Sequence, residues 1–150
     1  MADESIRQQI LSKWVEVFRA TSKLRRVEDT EPYDYDKAPM PTLHIMEGQE
    51  TVNFGKFHGL ALCDLIVVGQ LIYKFNSSDP QQSLHRQARA WLAFMQQTVM
   101  ANLQWGGLAM LTLEGGSEPG KLDSDTLSAG VLTTWWTVRY RRNAFDPYQR

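Results

Sequence analysis

Cysteine is almost absent from this chain. Cys63 stands alone, so no intrachain disulfide forms, and no thiol pair is present for a zinc or redox motif. It lies in an apolar run and reads as a small buried hydrophobe. Histidine is scarce too: His44, His58 and His85 fall in different segments, without the spacing that places two imidazoles on one metal. Long hydrophobic runs are missing. The longest, Leu60 to Phe75, is interrupted by Asp64, Gly69, Gln70 and Lys74, which excludes a spanning helix. An excess of charge is also missing, with 16 Lys+Arg against 17 Asp+Glu and a net charge of −1. That balance argues against a nucleic-acid binder relying on bulk charge, although Arg139 and Arg142 could make local DNA contacts. No basic stretch followed by an apolar one opens the sequence, so the expectation is a protein kept in the cytoplasm where it is made. Finally, no G-x-S-x-G elbow, phosphate-cradling glycine loop or H-E-x-x-H is found.

What remains is an ordinary globular composition rich in aromatics. Of 150 residues, 43% are hydrophobic, and five Trp, five Tyr and six Phe supply large apolar areas for a core or an interface. The length fits one domain over residues 1–150 that needs no metal or disulfide support.

Residues 3 to 20 carry Ile6, Ile10, Leu11, Trp14, Val17 and Phe18 at helical spacing, with Asp3 or Ser5 as the cap. Residues 21–41 show no periodicity. Five acids lie between Glu28 and Asp36, among them Asp29 and Glu31, and the segment reads as a charged, mobile connector. A first strand starts after Pro41 and runs through "TLHIMEGQE". The segment "TVNFGKFHG" then reads as a hairpin tip bearing Phe54 and Phe57. Leu60–Phe75 reads as a long strand, bent at Gly69, whose surplus length projects as a hairpin arm.

Asp79 and Pro80 form a strong helix start, and the helix extends to about Asn102. "LAMLTLE" is a short strand, and residues 114–126, rich in Gly, Pro and Ser, read as a mobile loop. The last strand runs from about Thr126 to Arg142. Its adjacent Trp135 and Trp136 must point to opposite faces, one toward the helices and one away, beside Arg139 and Arg141. Residues 143–150 form a tail. The fold class is α+β: an antiparallel or mixed sheet of about four to five strands, two helices on one face, in the order α, β, β, (β), α, β, β, with a long projecting hairpin.

A capped N-terminal helix, an acidic connector into "PTLHIMEGQE", a long hairpin, a helix opening at Asp-Pro and a closing "WWTVRYRRNAFDP" strand form a pattern. It resembles the tail terminator proteins of long-tailed bacteriophages, also called minor tail or tail-completion proteins. The resemblance implies a non-enzymatic ring, usually of six subunits, with no cofactor. Such a ring ends the tail tube at the head-proximal end of the virion and joins it to the head connector.

On that reading, the candidate interface residues are Phe54, Phe57, Asp64, Trp135, Arg139, Arg141, Arg142, Phe145, Tyr148, Glu28, Asp29 and Glu31. The edge of the Leu60–Phe75 strand offers intersubunit sheet pairing, and the acidic connector and the basic tail are suited to meet across neighbours. Two alternatives stand beside it. One is a neighbouring neck or head–tail joining protein. The other is a small α+β ligand-binding domain with Asp64, His44 and Tyr140 in its pocket.

Overall fold

A strand that buries one face shows its side chains alternately, and residues 60–74 do so almost without interruption. The computed structural model describes residues 4–30, 39–54, 59–74, 84–123 and 128–150. Within them the chain runs α1 (Ile6–Arg19), β1 (Arg26–Glu28), β2 (Thr42–Asn53), β3 (Leu60–Lys74), α2 (Leu84–Met100), β4 (Leu111–Asp123) and β5 (Ser128–Asn143). The five strands form one mixed sheet in the order β1-β2-β3-β5-β4. β1 is parallel to β2, and every other pairing is antiparallel. The chain is therefore α+β, with two helices on a five-stranded mixed sheet.

Both helices cover the same sheet face. α1 begins at Ser5, whose hydroxyl accepts the Gln8 N–H; such a cap stabilises a helix by ~1 kcal/mol. Ile6, Ile10, Leu11, Trp14, Val15 and Phe18 then form its buried face. They meet Leu65, Val67 and Leu71 of β3, Leu132, Trp136, Val138 and Tyr140 of β5, and Phe94, Met95 and Val99 of α2 in one core. The expected helix start at Asp79 and Pro80 lies outside the described residues, as does Asp3.

Several expectations are corrected. The third strand before α2 is β1, inside the segment read as connector; three residues paired to β2 are too few to show a period. Residues 111–123, read in large part as a loop, pair with β5 as an edge strand. An edge strand bonds on one side, so it tolerates Pro119 and its glycines, and a bulge between Glu114 and Gly116 absorbs the irregularity.

The long strand β3 is neither edge nor arm. It is central, paired to β5 from Leu60 to Lys74 and to β2 over most of that length. Its pairing with both neighbours runs through Gly69 without a register shift there. A Cβ there would stand 3.0 Å from both Met95 Cε and Thr134 Oγ1, so glycine lets α2 approach the sheet.

Candidate functional site

The period of two that places Leu65, Val67 and Leu71 beneath the helices sends Leu62, Asp64, Ile66 and Val68 to the other side. The pairing register adds Met46 of β2, Leu113 of β4, and Trp135, Thr137, Arg139 and Arg141 of β5 to that second face. No described helix covers it. Trp136 is the buried member of the tryptophan pair, 2% exposed, with its Nε1–H donating to Thr134 Oγ1 at 3.0 Å. Trp135 is half-buried on the helix-free face, and Leu113, across from Thr137, is 55% exposed. An apolar stripe of Leu62, Ile66, Val68, Trp135 and Leu113 therefore lies on the helix-free face, partly buried except for exposed Leu113.

One end of this face is closed by the chain itself. Met40 packs on Ile72, Ala129 and Val131, and His44 is buried with its Nδ1 3.0 Å from the Thr30 carbonyl. A carbonyl only accepts, so Nδ1 carries the proton. Burial lowers the His44 pKa below its ordinary 6.5, against the smaller opposing effect of that hydrogen bond.

The other end is charged. Arg139 donates to Asp64 through Nε at 2.8 Å and Nη2 at 3.1 Å, a two-pronged pair across β3 and β5. This pairing raises the Arg139 pKa. Arg141 beside it is exposed.

On the helix side, Glu50 receives the Tyr140 hydroxyl on one oxygen and Arg7 Nη1 on the other at 3.1 Å, while Arg7 Nε reaches Glu47. Burial, then Glu50, pushes the Tyr140 phenol far above its ordinary range. Cys63, fully buried beside Tyr140, is likewise pushed up by burial first and by Glu50 second, which suppresses thiolate chemistry. The cluster ties α1 to β2 and β5, with Tyr140 buried, Glu50 mostly so, and Arg7 and Glu47 at its solvent edge.

The C-terminal residues form a closed loop. Asn143 N–H donates to the Gln149 carbonyl, Ala144 N–H to Gly59, and Ile6 N–H at the start of α1 to Pro147. Phe145 N–H donates to Asn143 Oδ1 and Tyr148 N–H to Asp146 Oδ1. This frame holds Phe145 91% exposed, with Tyr148 also exposed. Arg142 donates within the loop, to the Asn143 and Ala144 carbonyls.

The remaining sequence candidates scatter. Phe54, 55% exposed, follows β2. Glu28 is paired with Arg26, and Asp29 is exposed beyond β1. Phe57 and Glu31 lie outside the described residues. The pocket proposed from Asp64, His44 and Tyr140 is not formed: Asp64 and His44 occupy opposite ends of the helix-free face, and Tyr140 faces the core. Among the described residues no three His, Cys, Asp or Glu side chains gather to hold a metal, and no helix is long and apolar enough to cross a membrane.

Sequence reasoning missed two concavities. One, about 420 Å³, lies between α2 and β4, with His85, Arg89 and Ser117 over Leu92, Pro119 and Leu132. The other, about 460 Å³, is walled by Met100, Leu103, Met110 and Leu111 where α2 ends. The methionines bracketing Trp105-Gly106-Gly107 were its available signal.

Compared with known proteins, the chain matches no family model and no curated protein.

Proposed function

We propose that this chain is a structural virion protein: a ring-forming tail terminator of a long-tailed phage that ends the tail tube and joins it to the head connector. The observation that carries the reading is the helix-free sheet face, where half-buried Trp135 and exposed Leu113 lie beside a two-pronged Asp64–Arg139 pair. A partly buried Trp among apolar neighbours, rimmed by arginine, has the make-up of an interface centre. The ring is a homo-oligomer, usually of six copies in the proteins this sequence resembles. Its neighbours in the virion are the tube protein and the connector or neck protein.

The reading is tested by adding purified chain to tail tubes and imaging them by electron microscopy. Density at one end of each tube, lost with Trp135→Arg, supports it. Binding to connectors but not to tubes favours the neighbouring neck protein. Failure to bind either overturns both.

A further inference from the structure

α2 turns one stripe toward β4. His85, Ala88, Arg89 and Leu92 follow i, i+3, i+4 and i+7 spacing, which places them on a single helix face. Ser117 and Pro119, two residues apart on β4, lie on the side of the sheet that meets this face, and Pro119 is paired with Leu132 of β5. Between stripe and strand lies a hollow of about 420 Å³. That is the size of a small-molecule site, and it equals roughly fourteen waters at ~30 Å³ each.

Floor and rim differ in chemistry. Ala88 and Leu132 are buried and Leu92 is half-buried, so the floor is apolar. His85, Arg89 and Ser117 are exposed around it. Arg89 Nε donates to the His85 carbonyl at 3.3 Å, one turn back along its own helix. No carboxylate lines the hollow. Glu118, next to Ser117, stands across from Thr133 and so belongs to the helix-free face. Glu114, on the helix side of β4, accepts from Gln96 Nε2 at 2.7 Å, further along α2.

We infer that this hollow binds a small organic monoanion, a carboxylate carried on an aliphatic or aromatic body. The Arg89 guanidinium holds the carboxylate, with the Ser117 hydroxyl and the His85 ring beside it, and the body lies over Leu92, Pro119 and Leu132. Arginine suits this head group because its planar fork matches the two oxygens of a carboxylate. Inorganic phosphate fits worse: it would lay hydrated oxygens on a floor that has no donor to replace the lost water. The site lies on the helix side of the sheet, so it stands or falls independently of the ring.

Octanoate is the probe, titrated into the isotope-labelled full chain and followed through the backbone amides by NMR. The comparison probes are 1-octanol, which keeps the tail without the charge, and inorganic phosphate, which keeps the charge without the tail. Octanoate shifts the Ser117 and Leu132 amides saturably, and each comparison probe binds at least about tenfold more weakly. Arg89→Gln, at an exposed position where the amide spectrum itself reports folding, weakens octanoate about tenfold and leaves octanol unchanged. The site is overturned if octanoate gives no saturable shift at these amides, or if octanol or phosphate binds as tightly as octanoate. Wild-type affinity of Arg89→Gln for octanoate overturns it as well.

Discussion

Trp14 of α1 and Trp105 of the turn after α2 stack with ring centroids 4.0 Å apart and planes 22° from parallel. Both indoles are fully buried, and their stack joins α1 to the turn that follows α2. Trp105 adopts a positive φ of 47° and is followed by Gly106 and Gly107 at positive φ. The turn is thus wound to deliver the ring inward. The turn that follows the end of α2 at Met100 thereby contributes Trp105 to the core.

The two tryptophans respond differently to removal of the indole N–H. Trp105 donates to Thr112, whereas Trp14 Nε1 is buried with no partner among the described residues. Trp105→Phe is expected to cost ~1–3 kcal/mol, because it strands a buried hydroxyl acceptor and loosens the turn. Trp14→Phe costs less than that. Chemical denaturation with the slope held constant separates them.

Gly130 in β5 is required by Tyr73. A Cβ at residue 130 would stand 2.2 Å from Tyr73 Cζ, because the phenol ring lies flat on the glycine and reaches the Leu84 carbonyl. Gly130→Ala therefore displaces the ring and destabilises by ~1–3 kcal/mol. Gly130→Ala in a Tyr73→Ala background costs much less, and a double-mutant cycle in thermal denaturation reads the coupling.

Glu50 sits between Tyr140 and Arg7, with its side chain only 14% exposed. Removing either donor leaves a mostly buried carboxylate short of a partner. Tyr140→Phe and Arg7→Met are each expected to cost ~1–3 kcal/mol, and Glu50→Gln with Tyr140→Phe less than the sum. Urea titrations of wild type, the three single variants and the double variant check this.

His44 makes stability depend on pH. Its folded pKa is lowered by burial, so below pH 6.5 the unfolded chain takes up a proton that the folded chain refuses. Stability is therefore unaffected by this group well above 6.5 and falls as the pH drops from 6.5 toward the lowered folded value. Glu28 and Arg26 act on it with opposite sign and smaller effect than burial. His44→Gln should flatten the melting temperature between pH 7 and 5 relative to wild type, apart from carboxylate effects common to both.

Much of the sheet was legible because its signal is local. The two side-chain sets of β3 and β5 follow from alternation alone, and Ser5 and the amphipathic stripe of α1 needed no partner to be seen. What alternation cannot say is which set lies under the helices. That choice put Trp136 inside and Trp135 outside.

The illegible parts depend on partners far along the chain. β4 carries Gly115, Gly116, Pro119 and Gly120 and is a strand only because β5 lies beside it, bonding one edge. β1 is three residues long and exists through β2. The C-terminal loop is held by backbone groups of Gly59 and Ile6, which no side-chain pattern announces. The Met100–Met110 hollow comes from a turn whose shape is set by Trp105 and Thr112.

The central claim is that this chain acts as a closed ring built from copies of itself. Light scattering coupled to size-exclusion chromatography over a concentration series tests it most directly. A discrete species near six times the chain mass of 17.2 kDa, alone or once tail tubes are added, is the predicted result. A species that stays at 17.2 kDa at every concentration and with tubes present contradicts it.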